Sequence, residues 1–110
     1  MYELALPISQ KHIDHGKRGQ CTHCPIALAL KEYFPTRDTE MIYVEYSPSV
    51  SDKGVWIRVW KCWPIQGGVV SKSQFLIFTL ADDAHAFVRD FDNAYYVEPQ
   101  TVHLLFQGEE

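Results

Sequence analysis

Long apolar runs are missing from this chain: no segment approaches the roughly 18 to 20 consecutive apolar residues that cross a bilayer as a helix. The opening residues, Met1-Tyr2-Glu3-Leu4-Ala5-Leu6-Pro7, have neither a basic start nor an extended apolar stretch, so they do not read as a secretory signal. Cysteine is scarce and odd in number, three in 110 residues, which argues against a disulfide framework. Basic charge is in deficit. Ten Lys and Arg against fourteen Asp and Glu give a net charge of −4 and a pI near 5.7, whereas a generic nucleic-acid binder carries a basic excess. The acidic balance does not make a DNA mimic either, since Glu109-Glu110 reads as a solvated tail. Gly-x-Ser-x-Gly, His-Glu-x-x-His and dinucleotide fingerprints are all absent, and no catalytic residue is assigned. These absences point to a cytoplasmic protein of a reducing compartment, without membrane contact.

What remains is ample for a core. The chain is 46% hydrophobic and 14% aromatic, with an ordinary 22% of charged residues, and its length suits one domain. No repeat, low-complexity tract or linker divides it, so residues 1–110 are expected to form a single domain. Tyr2 to Ile8 suggests a short strand stopped by Pro7, and Ser9 to Gly16 a single helical turn with Ser9 as N-cap. Ile26, Ala27, Leu30, Tyr33 and Phe34 repeat at helical spacing behind Pro25, which suits the first position of a helix. Three β-like runs follow: Met41 to Tyr46, Val55 to Cys62, and Gln74 to Leu80, the last apolar on both faces as in a central strand. Ser47 to Gly54 reads as a long turn, and Gly67-Gly68 as a bend. Ala84, Phe87, Val88 and Phe91 share one face of a helix from Asp82 to Phe91, with Asp82 and Asp83 at the positive end of its dipole. A last strand spans Thr101 to Phe106. The expected fold is α+β: a mostly antiparallel sheet of four to five strands with two main helices on one face.

Two constellations carry chemistry. His12, His15, Cys21 and Cys24 give the spacing His-x2-His-x5-Cys-x2-Cys, two imidazoles and two thiolates that can close a tetrahedral Zn²⁺ site. His23 and Cys62 compete for places in that shell. The bland alternative leaves Cys21 and Cys24 as reduced thiols beside a helix start. A thiol–disulfide enzyme is a further reading of the same Cys-x-x-Cys, although the polar loop before it does not resemble the apolar strand that precedes the thioredoxin motif.

The second constellation is Trp56, Arg58 and Trp60, on one face of a strand whose other face is Val55, Ile57 and Val59. If the valines and isoleucine pack on the helices, two tryptophans and an arginine point outward, residue types that dominate interface hot spots. The alternative packs the stripe on Trp63 and the Gly67-Gly68 loop. Lys17 and Arg18, between Gly16 and Gly19, are candidates for phosphate contact in a nucleic-acid-binding alternative.

Ile8-Ser9-Gln10-Lys11-His12-Ile13, the segment Cys21-Thr22-His23-Cys24-Pro25-Ile26-Ala27-Leu28-Ala29-Leu30, Phe87 to Asp92 and Val97-Glu98-Pro99 together resemble a family of small bacteriophage and prophage proteins without an assigned activity. The resemblance includes positions His12, Cys21 and Cys24 but not His15. It implies an accessory protein that acts in a bacterial cytoplasm by non-enzymatic binding to a host macromolecule, a protein in the first reading. The alternative is a zinc-stabilised nucleic-acid-binding module, and a homodimer contact through the aromatic stripe is a further use of that face.

Overall fold

In the computed structural model, which describes residues 2–110, the sheet order follows from burial of alternate side chains. In β1 (Glu3–Ile8) Leu4, Leu6 and Ile8 are buried, while Glu3, Ala5 and Pro7 are exposed. This strand lies antiparallel to β6 (Gln100–Glu109), Leu4 opposite Leu104 and Leu6 opposite Val102. β6 then pairs with β5 (Gly68–Leu80), β5 with β4 (Gly54–Ile65), β4 with β3 (Tyr43–Ser51), and β3 with the two-residue β2 (Arg37–Asp38). All five pairings are antiparallel, so the sheet has six strands in the order β1-β6-β5-β4-β3-β2. Directly opposed residues share a face. Phe106, Phe78, Val55 and Val50 therefore form one row across four strands, and this row belongs to the core.

The fold class is as expected, and the sheet exceeds the expected four to five strands by the two-residue β2 at its edge, while its hairpins are tighter and its strands longer than their sequences suggest. Ser51 pairs with Gly54 across a two-residue turn at Asp52-Lys53, and Ile65 pairs with Gly68 across Gln66-Gly67. Gly54 takes φ +151°, and a Cβ there would lie 2.9 Å from the Phe78 carbonyl oxygen, so the close approach of β4 to β5 requires glycine. Pro48 reads as a turn residue, yet it stands inside β3 opposite Ile57. β2 reaches along β3 only as far as Val44, so the outer edge at Pro48 has no strand to receive a hydrogen bond. Pro7 is tolerated on the same principle, because β1 is the other edge of the sheet.

Three helices cover one face. α1 (Gln10–His15) is a short helix capped by Ser9 and packs on α2 (Pro25–Tyr33), which lies against β1 and β3. α3 (Asp82–Asp92) lies against β6 and β5. Ile26, Ala27 and Leu30 from α2 and Ala84, Phe87, Val88 and Phe91 from α3 meet the strand side chains in one core. Full burial of a leucine or isoleucine contributes roughly 1.5–3 kcal/mol, and Ile26, Leu30, Ile57 and Leu104 are all fully buried. No helix of the described residues is long and apolar enough to cross a membrane.

Candidate functional site

With the helices on one side, every second residue of the long strands is left on the other. Val55, Ile57 and Val59 are buried beneath the helices, which turns Trp56, Arg58 and Trp60 to the helix-free face. Trp63 has the opposite parity and does not cover them. Trp56 stands opposite Ile77, and Arg58 opposite Phe75, so the face is wider than the stripe alone. Trp56 is 38% exposed and Phe75 40% exposed. Sequence reading takes Phe75 and Ile77 as one side of a doubly covered central strand. Here β5 is central, but only the side bearing Leu76 and Phe78 meets the helices. The alternation of Phe75 and Ile77 with Leu76 and Phe78 is the signal that contained this face.

Two side-chain hydrogen bonds tie polar groups on this face. Arg58 donates from Nη2 to Ser73 Oγ at 3.3 Å, and Tyr43 donates its hydroxyl to Glu45 Oε2 at 3.1 Å. That bond is the main cause of a raised Tyr43 phenol pKa. Tyr43 and Trp60 meet edge to face with centroids 5.6 Å apart, and Cys62 stands opposite Tyr43. The result is an apolar ridge through Trp56, Ile77 and Phe75 with one cation, Arg58, bonded to Ser73 beside it.

The four candidate zinc ligands have separate duties. His12 is the third residue of α1 and completes a capping box: its Nδ1 accepts the Ser9 N–H at 3.0 Å while Ser9 Oγ accepts the His12 N–H at 3.4 Å. Glutamate or glutamine normally supplies that return bond. Its Nε2, which carries the ring proton while Nδ1 accepts, lies 3.0 Å from Glu32 Oε2. The His12 imidazole holds the Glu32 carboxyl below the usual carboxylate range. His15 Nδ1 pairs with the Lys11 carbonyl at 2.9 Å. Cys24 is buried as the N-cap of α2, its Sγ accepting the Ala27 N–H at 3.5 Å, and Cys21 is exposed. Among the described residues, no group of three or more His, Cys, Asp and Glu side chains is gathered as a metal site. The spacing brings Cys21 and Cys24 together and sends His12 into α1's own cap.

Cys21 and Cys24 line a cleft of about 350 Å³ closed on its far side by α3, which contributes His85, Arg89 and Asp92. The loop between α1 and α2 is tied to the end of α3: Gly19 N donates to Asp92 Oδ1 at 3.2 Å, and Arg18 Nε to the Phe91 carbonyl at 3.1 Å. The Arg18 guanidinium also lies 5.6 Å from the Phe91 ring centroid. Arg18 is therefore a strut of the loop, while Lys17 shares a neighbouring groove with the exposed Tyr95 and Tyr96 and with Asp14.

One ionisable pair escapes sequence reading altogether. His103 Nδ1 lies 2.5 Å from Asp83 Oδ2, and Asp83 Oδ1 accepts the N–H groups of His103 at 3.0 Å and of Ala84 at 2.6 Å. Glu3 approaches the other ring nitrogen at 3.6 Å. The bond from Asp83, opposed by partial burial and assisted by the charges of Asp83 and Glu3, raises the His103 pKa. Burial pushes Asp83 the other way from its hydrogen bonds, and the bonds to His103 and Ala84 prevail, leaving its carboxyl below the usual range. The pair fastens the start of α3 to β6.

Compared with family models, with curated proteins and with solved structures, the chain finds no match in any of the three.

Proposed function

We propose that this chain is a non-enzymatic binding module that docks a protein through the helix-free face of its sheet, and that the partner is a bacterial host protein. The observation that carries the reading is the exposure of Trp56 and Phe75 on neighbouring strands of a face that no helix covers. A tryptophan or phenylalanine at two-fifths exposure leaves roughly 80–100 Å² in water. Burying that remainder contributes about 2 kcal/mol for each ring. Arg58, opposite Phe75 and two residues along the strand from Trp56, offers the cation that aromatic hot spots commonly carry. The phage-type setting rests on the resemblance at the two ends of the chain.

A protein is favoured over a nucleic acid by charge. The net charge is −4, Arg18 is committed to Phe91, and the face carries Glu45 beside its single arginine. The test is capture from a bacterial lysate by immobilised wild type, by Trp56→Ala/Phe75→Ala, and by Lys53→Ala in the β3–β4 turn. A protein retained by wild type and Lys53→Ala but lost by the double variant, with unchanged circular dichroism, is the expected result. Equal retention by all three refutes the reading. A wild-type dimer in sedimentation that the double variant dissociates would assign the face to a second copy instead.

A further inference from the structure

We infer that Cys21 and Cys24 form a thiol–disulfide exchange site for a low-molecular-weight disulfide of the amino-acid or peptide type, with Cys21 attacking first and Cys24 resolving. The site is separate from the helix-free face and stands or falls without it.

The argument begins with the loop. Lys17 N donates to the His23 carbonyl at 2.8 Å and His23 N to the Gln20 carbonyl at 3.1 Å, which folds the segment back on itself. Val50 N donates to the Cys21 carbonyl at 2.9 Å, using the edge of β3 that has no strand beside it. This bond fixes the backbone of the first cysteine while leaving its side chain exposed. Three residues later the chain enters α2, and Cys24 turns inward to 7% exposure. Both residues remain on the wall of the same cleft. Of the two cysteines in this cleft, a disulfide approaching from solvent therefore meets Cys21 first. Cys24 is then the thiol next along the chain, separated from Cys21 by Thr22 and His23 and already at the cleft.

The walls suit a small zwitterion. Arg89 offers a cation for a carboxylate, Asp52 and Asp92 offer anions for an ammonium group, and Val50 and Val88 line the apolar part. A volume of about 350 Å³ admits a half-disulfide of peptide size but not a folded protein.

The exchange is balanced without any cofactor. The Cys21 thiolate attacks one sulfur of the small disulfide RSSR, forming Cys21–S–S–R and releasing RS⁻, which takes up the proton that Cys21 gave to solvent. The Cys24 thiolate then attacks the Cys21 sulfur, forming the Cys21–Cys24 bond and releasing the second RS⁻, which is protonated in turn. The two cysteines are oxidised, RSSR is reduced to two RSH, and the oxidant is the small disulfide itself. Burial pushes the Cys24 thiol pKa up, against the Ala27 and Ile26 N–H groups that lower it, so the second step quickens as pH rises. Cys62 lies on the other face of the sheet, beside Tyr43, and serves as an internal control.

The experiment treats the reduced 110-residue protein with oxidised glutathione under nitrogen, quenches aliquots in acid, and maps the thiols by mass spectrometry. Wild type is expected to lose two hydrogens, keep no adduct, and yield a linked Cys21–Cys24 peptide. Cys24→Ser is expected to hold one glutathione on Cys21. Serine is itself a favoured N-cap, so the start of α2 is retained, and circular dichroism checks it. Cys21→Ser is expected to leave Cys24 and Cys62 free over the same interval. An adduct that persists on Cys21 in wild type overturns the pairing. First reaction at Cys24 or Cys62 overturns the order of attack. No reaction while free cysteine exchanges to completion overturns the site.

Discussion

Replacing Asp83 by alanine tests whether one carboxylate holds the N-terminus of α3. Ala81, the N-cap, offers no side-chain bond, so the first turn is capped by Asp83 through Ala84, and its other bonds reach β6. Loss of a capping carboxylate costs about 1 kcal/mol. The His103 N–H loses its acceptor as well, for roughly another 1 kcal/mol. The Asp83 side chain is 37% exposed, so solvent screens its charge and no further figure is added for the ion pair. A total of about 2 kcal/mol corresponds to a Tm lower by roughly 10 °C in a domain of this size. The sign of the pH dependence follows from the two shifts. His103 has a raised pKa when folded, so its contribution is complete below about pH 6.5 and is lost as pH rises through the folded value. Asp83 has a lowered pKa, so its contribution is present above about pH 3.9 and is lost as pH falls through the folded value. The gap in Tm between wild type and Asp83→Ala is therefore widest between roughly pH 4 and 6.5, and it narrows above that window without closing, because the two backbone bonds persist. Thermal unfolding by circular dichroism at about pH 5 and about pH 8.5 reads both quantities. A gap smaller than about 2 °C at the lower pH, or one that widens with pH, would refute the clamp.

Further substitutions probe other parts of the same structure. His12→Gln should keep the capping box and cost little, whereas His12→Ala should cost about 1 kcal/mol in urea unfolding. Zinc measured on tag-free, chelator-free protein should fall well below one per chain and EDTA should leave Tm unchanged; one zinc per chain with a chelator-sensitive Tm would mean that His12 abandons the Ser9 cap. Gly54→Ala forces a side chain into φ +151° and to 2.9 Å from the Phe78 carbonyl, and about 2 kcal/mol of stability should be lost, seen as a lower urea midpoint at constant m-value.

Local periodicity made α2, α3 and the alternation of β4 legible, because each is written in residues that are neighbours in the chain. The exposed position of Trp56 and Arg58 followed from Val55, Ile57 and Val59 for the same reason. Pro7 and Pro48 were opaque: whether a strand tolerates proline depends on which strand stands beside it, a fact settled by residues far away. Ser47 to Gly54 looks like one long turn because Pro, Asp and Gly all favour turns, but only Asp52 and Lys53 make one. The capping box that His12 completes with Ser9 is hidden in the sequence, because glutamate or glutamine is the usual third residue and the ring's orientation is not written in the spacing. Asp83 and His103 lie twenty residues apart, and their meeting depends on β5 ending where α3 begins.

The position of β6 bears on how the chain is made. This strand is translated after the other five, yet it lies between β1, the first strand, and β5. While the ribosome is still short of Gln100, the β3–β4 and β4–β5 hairpins can assemble as soon as they emerge, but β1 has no strand to join. The nascent molecule thus holds a four-strand remnant and an orphan edge, with Leu4, Leu6 and Phe78 unsheltered by their later neighbours. Such long-range closure is slow and leaves apolar edges open to association. The arrival of residues 100–109 inserts a wedge that joins both pieces at once, so the two pairings that close the sheet form together in a late event while the β2–β5 part is already in place.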